Sequence, residues 1–396
     1  MSTRSLSCIL KYGRSGLFRA NGQAGQCGAL VTKLHKVNLT STHGEPDPNR
    51  AKPWPYERRP FGMYWQFFDS TLKRVGENSK VIVVDGNLAV GKSEFAEKIA
   101  KEFDLKYFPD IRVDELFEIV EGFDIRELDE QLPENLRTCD LEKFYSTKDP
   151  KKALNIANTQ LMLYFKRMMH YVRALEHVLN TGQGVVVERS VFSDIVYADT
   201  LKKYGYISKP AYEYYRLIRD NSICELWKPH VFIYLDAPVS HIRDRIKKRA
   251  VPYEVQSPVL TDDYLSTVEN MYKKQLIPEL THSCEVIKYD VTDLPQWDMI
   301  VEDLETLDLD TPHDDNEEMF KGWYSMREED WNKYRMLLSS KWQWNNLLSK
   351  PLPWDAPELC ITGDDIRTFH NIVNEHPAVK YSKGYDPEKY STLLKW

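Results

Sequence analysis

The chain has 396 residues, 42% hydrophobic and 29% charged, with a formal net charge of −7. This is the composition of an ordinary soluble protein, long enough for one main domain with additions. The acidic balance argues against nucleic acid as a partner, because phosphate backbones call for a basic surface, and no apolar run reaches the ~18 residues that span a bilayer. Cys8, Cys27, Cys139, Cys224, Cys284 and Cys360 are scattered without a C-x-x-C pair, which suits a reducing compartment better than a zinc site or a disulfide framework.

Residues 1–44 contain no Asp or Glu, while Arg4, Lys11, Arg14, Arg19, Lys33 and Lys36 supply six positive charges. Ser, Thr and Gly are frequent, and Leu6, Ile9 and Leu10 could share one face of a short helix. The segment reads as a mitochondrial presequence, the alternative being an unstructured basic arm. Residues 45–79 form an N-terminal arm. Its first part, EPDPNRAKPWPYERRP, is Pro-rich and extended. Its second, FGMYWQFFDSTLKRV, is aromatic and close to helical in period, and Gly76, Glu77 and Asn78 follow as a turn.

From residue 80 to 301 short β-branched runs alternate with helical patterns. Val81–Val84, Val185–Val187, Val231–Leu235 and Glu285–Tyr289 suit buried parallel strands. Glu94–Phe103, Leu154–Asn180 and Ser240–Arg249 carry helical periodicity. Alternation of this kind predicts an α/β domain, a parallel sheet with helices on both faces. Residues 302–318 hold nine acids and no Lys or Arg, and read as a linker. Beyond them, residues 319–396 hold six of the ten tryptophans, Trp323, Trp331, Trp342, Trp344, Trp354 and Trp396, with little sustained periodicity. So aromatic an extension reads as a partner-docking segment, the alternative being that it packs back on its own domain.

The strongest motif is VIVVDGNLAVGKSEF: a strand, then Gly86-x-x-x-x-Gly91-Lys92-Ser93, then a helix start. Glycines let the backbone curl so that successive N–H groups face phosphate oxygens. The helix N-terminus adds partial positive charge at the same point. Lys92 is placed to reach the β-phosphate of ADP or the β- and γ-phosphates of ATP, and the Ser93 hydroxyl to ligate Mg²⁺. Asp85, just before the loop, reads as a local turn cap more readily than as a metal support. No G-x-G-x-x-G dinucleotide fingerprint is present, so the sequence gives no support for FAD.

GNLAVGKS, with Asn87 after the first glycine and Ala89 in the middle, closely resembles the phosphate loop of deoxynucleoside kinases. Three further stretches resemble that family in the same order: VVVERS (185–190), the helix TQLMLYFKRMMHYVRALEH, and YLDAPVSHIRDRIKKR (234–249). The resemblance implies a three-layer P-loop kinase fold. It also implies that Glu188 helps hold Mg²⁺, that Arg189 contacts the catalytic carboxylate and phosphates, and that Gln160 reads the edge of a purine or other base. Arg245 and Arg249 would belong to a lid over the nucleotide, and Glu254 matches a lid acid that meets the sugar.

Some positions depart from the family pattern. Where active members carry a base Glu followed by Pro-Val and then a Trp, this chain has Phe108-Pro109-Asp110-Ile111-Arg112. Asp110 is a shorter carboxylate, and a misplaced base is a poor one. A third lid Arg is replaced by Val251, a loss that can amount to ~10³-fold in phosphoryl transfer. A presequence, an altered kinase domain and a Trp-rich tail together resemble one branch of the family, the kinase-like accessory subunits of mitochondrial respiratory complex I, to which FAD has also been attributed. That branch implies other complex I subunits as partners, a matrix location peripheral to the inner membrane, and no intrinsic catalysis. An active mitochondrial deoxynucleoside kinase and a nucleotide-gated regulator are the competing readings.

Overall fold

The apolar runs assemble into a five-stranded parallel sheet: β1 (Val81–Gly86), β2 (Lys106–Phe108), β3 (Val185–Glu188), β4 (Val231–Asp236) and β5 (Glu285–Asp290). The spatial order is β2-β3-β1-β4-β5. The computed structural model describes residues 39–41, 51–112, 114–120, 123–152, 155–309, 318–325, 327–351 and 355–380. The presequence read at 1–44 lies outside these apart from residues 39–41, and so do residues 310–317 of the acidic stretch, Trp354 and Trp396.

Register pairs Val81 with Val185 on one side of β1 and Ile82 with Val231 on the other. All residues of β1 and β3 are buried. Strands buried on both faces can be apolar throughout, and that is why these runs lack alternation. The edge strand β5 is only partly covered and admits Lys288 and Asp290. The three-residue β2, extending β3 from Lys106 to Phe108, is too short to announce itself by pattern.

The helices predicted from periodicity appear as α1 (Lys92–Glu102), α2 (Ile156–Thr181) and, after α3 (Asp194–Lys203) and α4 (Lys209–Ser222), α5 (Val239–Arg249). Next come α6 (Asp262–Met271) and α7 (Trp297–Glu305), so the acidic stretch begins inside a helix whose Leu304 is buried. Among described residues no helix is long and apolar enough to cross a membrane.

The two ends of the chain depart from their predicted patterns. The aromatic segment 61–75 forms only a short 3₁₀ turn, Met63–Phe67. Phe61 is instead buried beneath the Arg335 guanidinium, 3.6 Å from its ring centre. The tail carries helices α8 (Glu328–Leu338), α9 (Lys341–Leu348) and α10 (Gly363–Glu375). Its buried stripe in α8 is Trp331, Tyr334, Arg335 and Leu338, an i, i+3, i+4, i+7 set hidden from pattern reading by an arginine at a core position.

Trp227 organises the tail against the kinase domain. Tyr334 stacks on it at 3.9 Å, with Trp323 and Trp331 edge-on at 4.9 and 5.3 Å. Gly322 has φ +95, and a Cβ there would lie 2.5 Å from the Trp227 ring, so only glycine permits the approach. Trp323, Trp331 and Trp344 are buried, whereas Trp342 is 72% exposed.

Candidate functional site

In doubly wound sheets the ligand crevice lies at the carboxyl ends of the strands where the chain reverses direction across the sheet. Here that point is the end of β1, between β3 and β4. Gly86 has φ +150, and a Cβ on it would stand 2.5 Å from the Leu235 carbonyl oxygen. Ala89 (φ 56) and Gly91 (φ 93) are also left-handed, and together they curl the loop into the first turn of α1. Asn87 holds the curl: its Oδ1 accepts from Leu88 N at 2.8 Å and its Nδ2 donates to Leu265 O at 3.0 Å. Asp85 behaves as a cap, accepting from Gly86 N at 2.8 Å, Ser190 N at 3.3 Å and Tyr272 OH at 2.8 Å.

Lys92 is buried and its Nζ donates to Asn87 O at 2.7 Å. Burial, with the Arg189 charge adding to it, holds its ammonium down to about 7 against the pull of Asp85, Asp110 and Glu188. The Ser93 hydroxyl donates to Glu188 Oε1 at 2.7 Å, and Tyr107 OH donates to Glu188 Oε2 at 2.6 Å. Among described residues no cluster of three or more His, Cys, Asp or Glu could hold a metal by itself. A hydroxyl and one carboxylate side by side are the donor set for Mg²⁺ that keeps its waters and takes phosphate oxygens, and Ser93 and Glu188 fit it.

Arg189 takes φ 56 directly after β3. Its guanidinium lies 4.8 Å from the Tyr197 ring centre, and its Nε is 3.5 Å from Asp110 Oδ2. Arg167 Nε approaches the other oxygen, Oδ1, at 3.6 Å. Burial raises the Asp110 pKa, but Arg167, Arg189 and Lys92 outweigh it and hold the carboxyl below its usual range. The Nε atoms of Arg167 and Arg189 and the Tyr197 hydroxyl are buried and find no hydrogen-bond partner among the described residues.

Behind this pair sits Asp194, fully buried. It accepts from Gln160 Nε2 at 2.8 Å, Arg167 Nη1 at 2.5 Å and Tyr215 OH at 2.8 Å. Gln160, Arg167, Arg189 and Tyr197 line one cavity. Neither Arg167 nor Asp194 was singled out from sequence. The available signal was seven-residue spacing, since Arg167 lies two turns beyond Gln160 on the same face of α2.

Over the phosphate loop lies α5. Arg245 Nη1 is 3.5 Å from Val90 O, and its guanidinium would be 3.0 Å from a Cβ at Gly91. Arg249 instead forms a bidentate ion pair with Glu254, its Nε donating at 3.1 Å. Val251 caps the short helix Pro252–Val255 between them. Lys92, Ser93, Asp110, Glu188, Arg189, Arg245 and Arg249 border one groove, which meets the cavity at Arg189, Tyr253 and Glu254.

A phosphate loop, an arginine-bearing helix above it and an adjoining polar cavity define a P-loop kinase fold. The deoxynucleoside kinase family profile matches residues 82–326. NADH dehydrogenase [ubiquinone] 1 alpha subcomplex subunit 10 of Bos taurus is 35% identical over 81% of this chain and 88% of its own length. The Mus musculus protein of the same name is 35% identical over 81% and 84%. Deoxyguanosine kinase of Dictyostelium discoideum is 27% identical over 59% of this chain and 72% of that protein. The chain belongs to the deoxynucleoside kinase family, in the branch that contains the mitochondrial alpha subcomplex subunit 10 proteins.

Proposed function

We propose that the protein is an accessory, non-catalytic subunit of mitochondrial NADH:ubiquinone oxidoreductase, peripheral to the inner membrane on the matrix side, that retains a nucleotide site. The observation carrying this reading is the match to subunit 10 over 81% of the chain, far beyond the kinase core. The presequence would be removed before Leu39, because Leu39 is buried and Ser41 N donates to Glu305 Oε1 at 2.7 Å.

The cleft supports binding without turnover. Gly86, Asn87, Ala89, Gly91, Lys92 and Ser93 would cradle the phosphates of ATP, ADP or a purine deoxynucleotide, with Arg245 over them. Gln160, held by Asp194 and beside Arg167, would face the base. Mg²⁺ held by Ser93 and Glu188 would neutralise phosphate charge. The buried, unsatisfied Nε of Arg189 would meet an anionic oxygen. Against turnover, Asp110 is a short carboxylate held between two guanidinium groups. A base pinned in its charged form with a depressed pKa has little affinity for the proton of a sugar hydroxyl. Arg249 is engaged with Glu254, and position 251 carries a valine.

The intact Gln160–Asp194–Arg167 cluster favours one competing reading, an active mitochondrial deoxynucleoside kinase. Native gels of mitochondrial extract decide between them. A band at the size of the NADH dehydrogenase complex supports the accessory role. A protein found only free, with robust deoxynucleoside phosphorylation lost in Arg189→Ala, would make it the kinase.

A further inference from the structure

The tail places Trp323, Trp331 and Trp344 in its own core, and among the described residues a run of exposed aromatics lies at the other end of the chain. Met63, Tyr64, Phe67 and Phe68 are 60, 76, 77 and 82% exposed. Three aromatics at such exposure leave on the order of 450 Å² of largely apolar surface in water, the size at which patches mark interaction sites.

The chain on either side of this surface is tied down. Trp54 packs against Phe61 and Trp65 at 5.8 and 5.2 Å, and donates from Nε1 to Arg59 O at 2.8 Å. Beneath it Arg335 of α8, wholly buried, joins Asp69 Oδ2 at 2.7 Å, Thr71 Oγ1 at 2.9 Å and Asn180 Oδ1 at 2.6 Å. Glu328 accepts from Ser70 Oγ, Thr71 N and Leu72 N at 2.9, 2.6 and 3.0 Å. The tail therefore ties down the chain that follows the patch, and a backbone placed in advance loses less entropy on binding.

We propose that the face formed by Met63, Tyr64, Phe67 and Phe68 is the docking surface by which this protein joins its complex. Its occupant is a protein segment with an apolar ridge flanked by Asp or Glu. The inference rests on the accessory-subunit reading. Charge and composition select the occupant. Residues 58–68 carry Arg58 and Arg59 and no acid, Lys52 and Lys73 are exposed nearby, and Asp69 is engaged by Arg74 and Arg335. Aromatics with Met and Arg, depleted of acids, are the composition of protein interface cores. A lipid surface fits less well. Recognition of anionic lipid takes clusters of about 4–8 basic residues, whereas Arg59 is stacked 3.6 Å over Trp65 and the chain as a whole carries −7.

The test expresses full-length variants in cells lacking the protein and follows the NADH dehydrogenase complex on native gels. Tyr64→Ser/Phe67→Ser/Phe68→Ser should lower the assembled fraction by about fivefold or more. The purified variant should keep its melting midpoint and its affinity for ADP. Arg58→Glu should lower assembly by about twofold to threefold, and Arg58→Lys should not. Normal assembly of the triple variant overturns the proposal, as does a fall in its melting midpoint that accounts for the loss. Flotation with phosphatidylcholine–cardiolipin vesicles that is abolished in the triple variant while assembly persists would make the occupant lipid. Absence of the wild-type chain from the complex band would sink both this proposal and the accessory reading. Equal presence of wild type and triple variant would sink the surface alone.

Discussion

The two ends of the cleft are built from different materials. The phosphate end is mostly backbone: left-handed Ala89 and Gly91, the close pass of Gly86 under Leu235 O, and the N-terminus of α1. The acceptor end is side chain: Asp110 between Arg167 and Arg189, and Asp194 holding Gln160, Arg167 and Tyr215. A backbone cradle tolerates change around it, because its donors are fixed by chain geometry. A catalytic end built of side chains can keep its ion pairs and lose its chemistry through one shortened carboxylate.

If that contrast holds, damage to the acceptor end should appear first in stability. Asp194→Ala removes the nearer of the two carboxylates beside buried Arg167 and leaves only Asp110, 3.6 Å away, to offset its charge. The cost should be about 3–5 kcal/mol, a fall in melting midpoint on the order of 10 °C. A midpoint within a degree or two of wild type would show that the cluster is not structural.

Lys92→Ala should do the reverse. It removes a charge-assisted phosphate contact, so affinity for ADP should drop by about 10- to 100-fold by calorimetry while the melting midpoint of the free protein holds or rises. Equal co-purification of nucleotide with wild type and variant would make the loop a packing feature.

A pH titration sharpens the same point. The pKa of Lys92 is depressed to about 7 in the unliganded fold. Its contribution to stability is therefore full above the unfolded pKa near 10.5 and is lost as pH falls through 7. Bound phosphate favours the charged ammonium, so binding takes up a proton. Affinity for ADP should weaken as pH rises above 7, by at most about tenfold per unit. The slope should vanish in Lys92→Ala, and a flat wild-type profile from pH 7 to 9 would break the argument.

The smallest effect concerns chemistry. Asp110→Glu with Val251→Arg should raise deoxynucleoside phosphorylation from background to a trace, because Arg249 remains tied to Glu254. Robust turnover by the unmodified chain would overturn the contrast itself.

Much of the fold was legible locally. Four apolar runs marked strands β1, β3, β4 and β5 to within two residues; β1, β3 and β4 are buried on both faces and need no partner to show their character. The helix expected from the period of segment 61–75 is a 3₁₀ turn. There the aromatics spread between Trp54, Arg335 and solvent, so no single helical face was required of them. In the tail the opposite occurred: α8 is regularly periodic, but its core stripe includes Arg335, which composition reads as surface.

What the sequence determined by itself is what a few neighbouring residues decide: the curl of Gly86 to Ser93, the start of α1 and the buried strands flanking them. Backbone conformation and helix ends depend on residues within about one turn, so the motif carried its own structure. What only the tertiary structure decided lies between distant positions. Asp110 meets Arg167 and Arg189, Gln160 meets Asp194 across 34 positions, and Arg335 reaches Asp69 across 266. Each pair is stable only where packing has removed water and strengthened the charges, a condition no local pattern states.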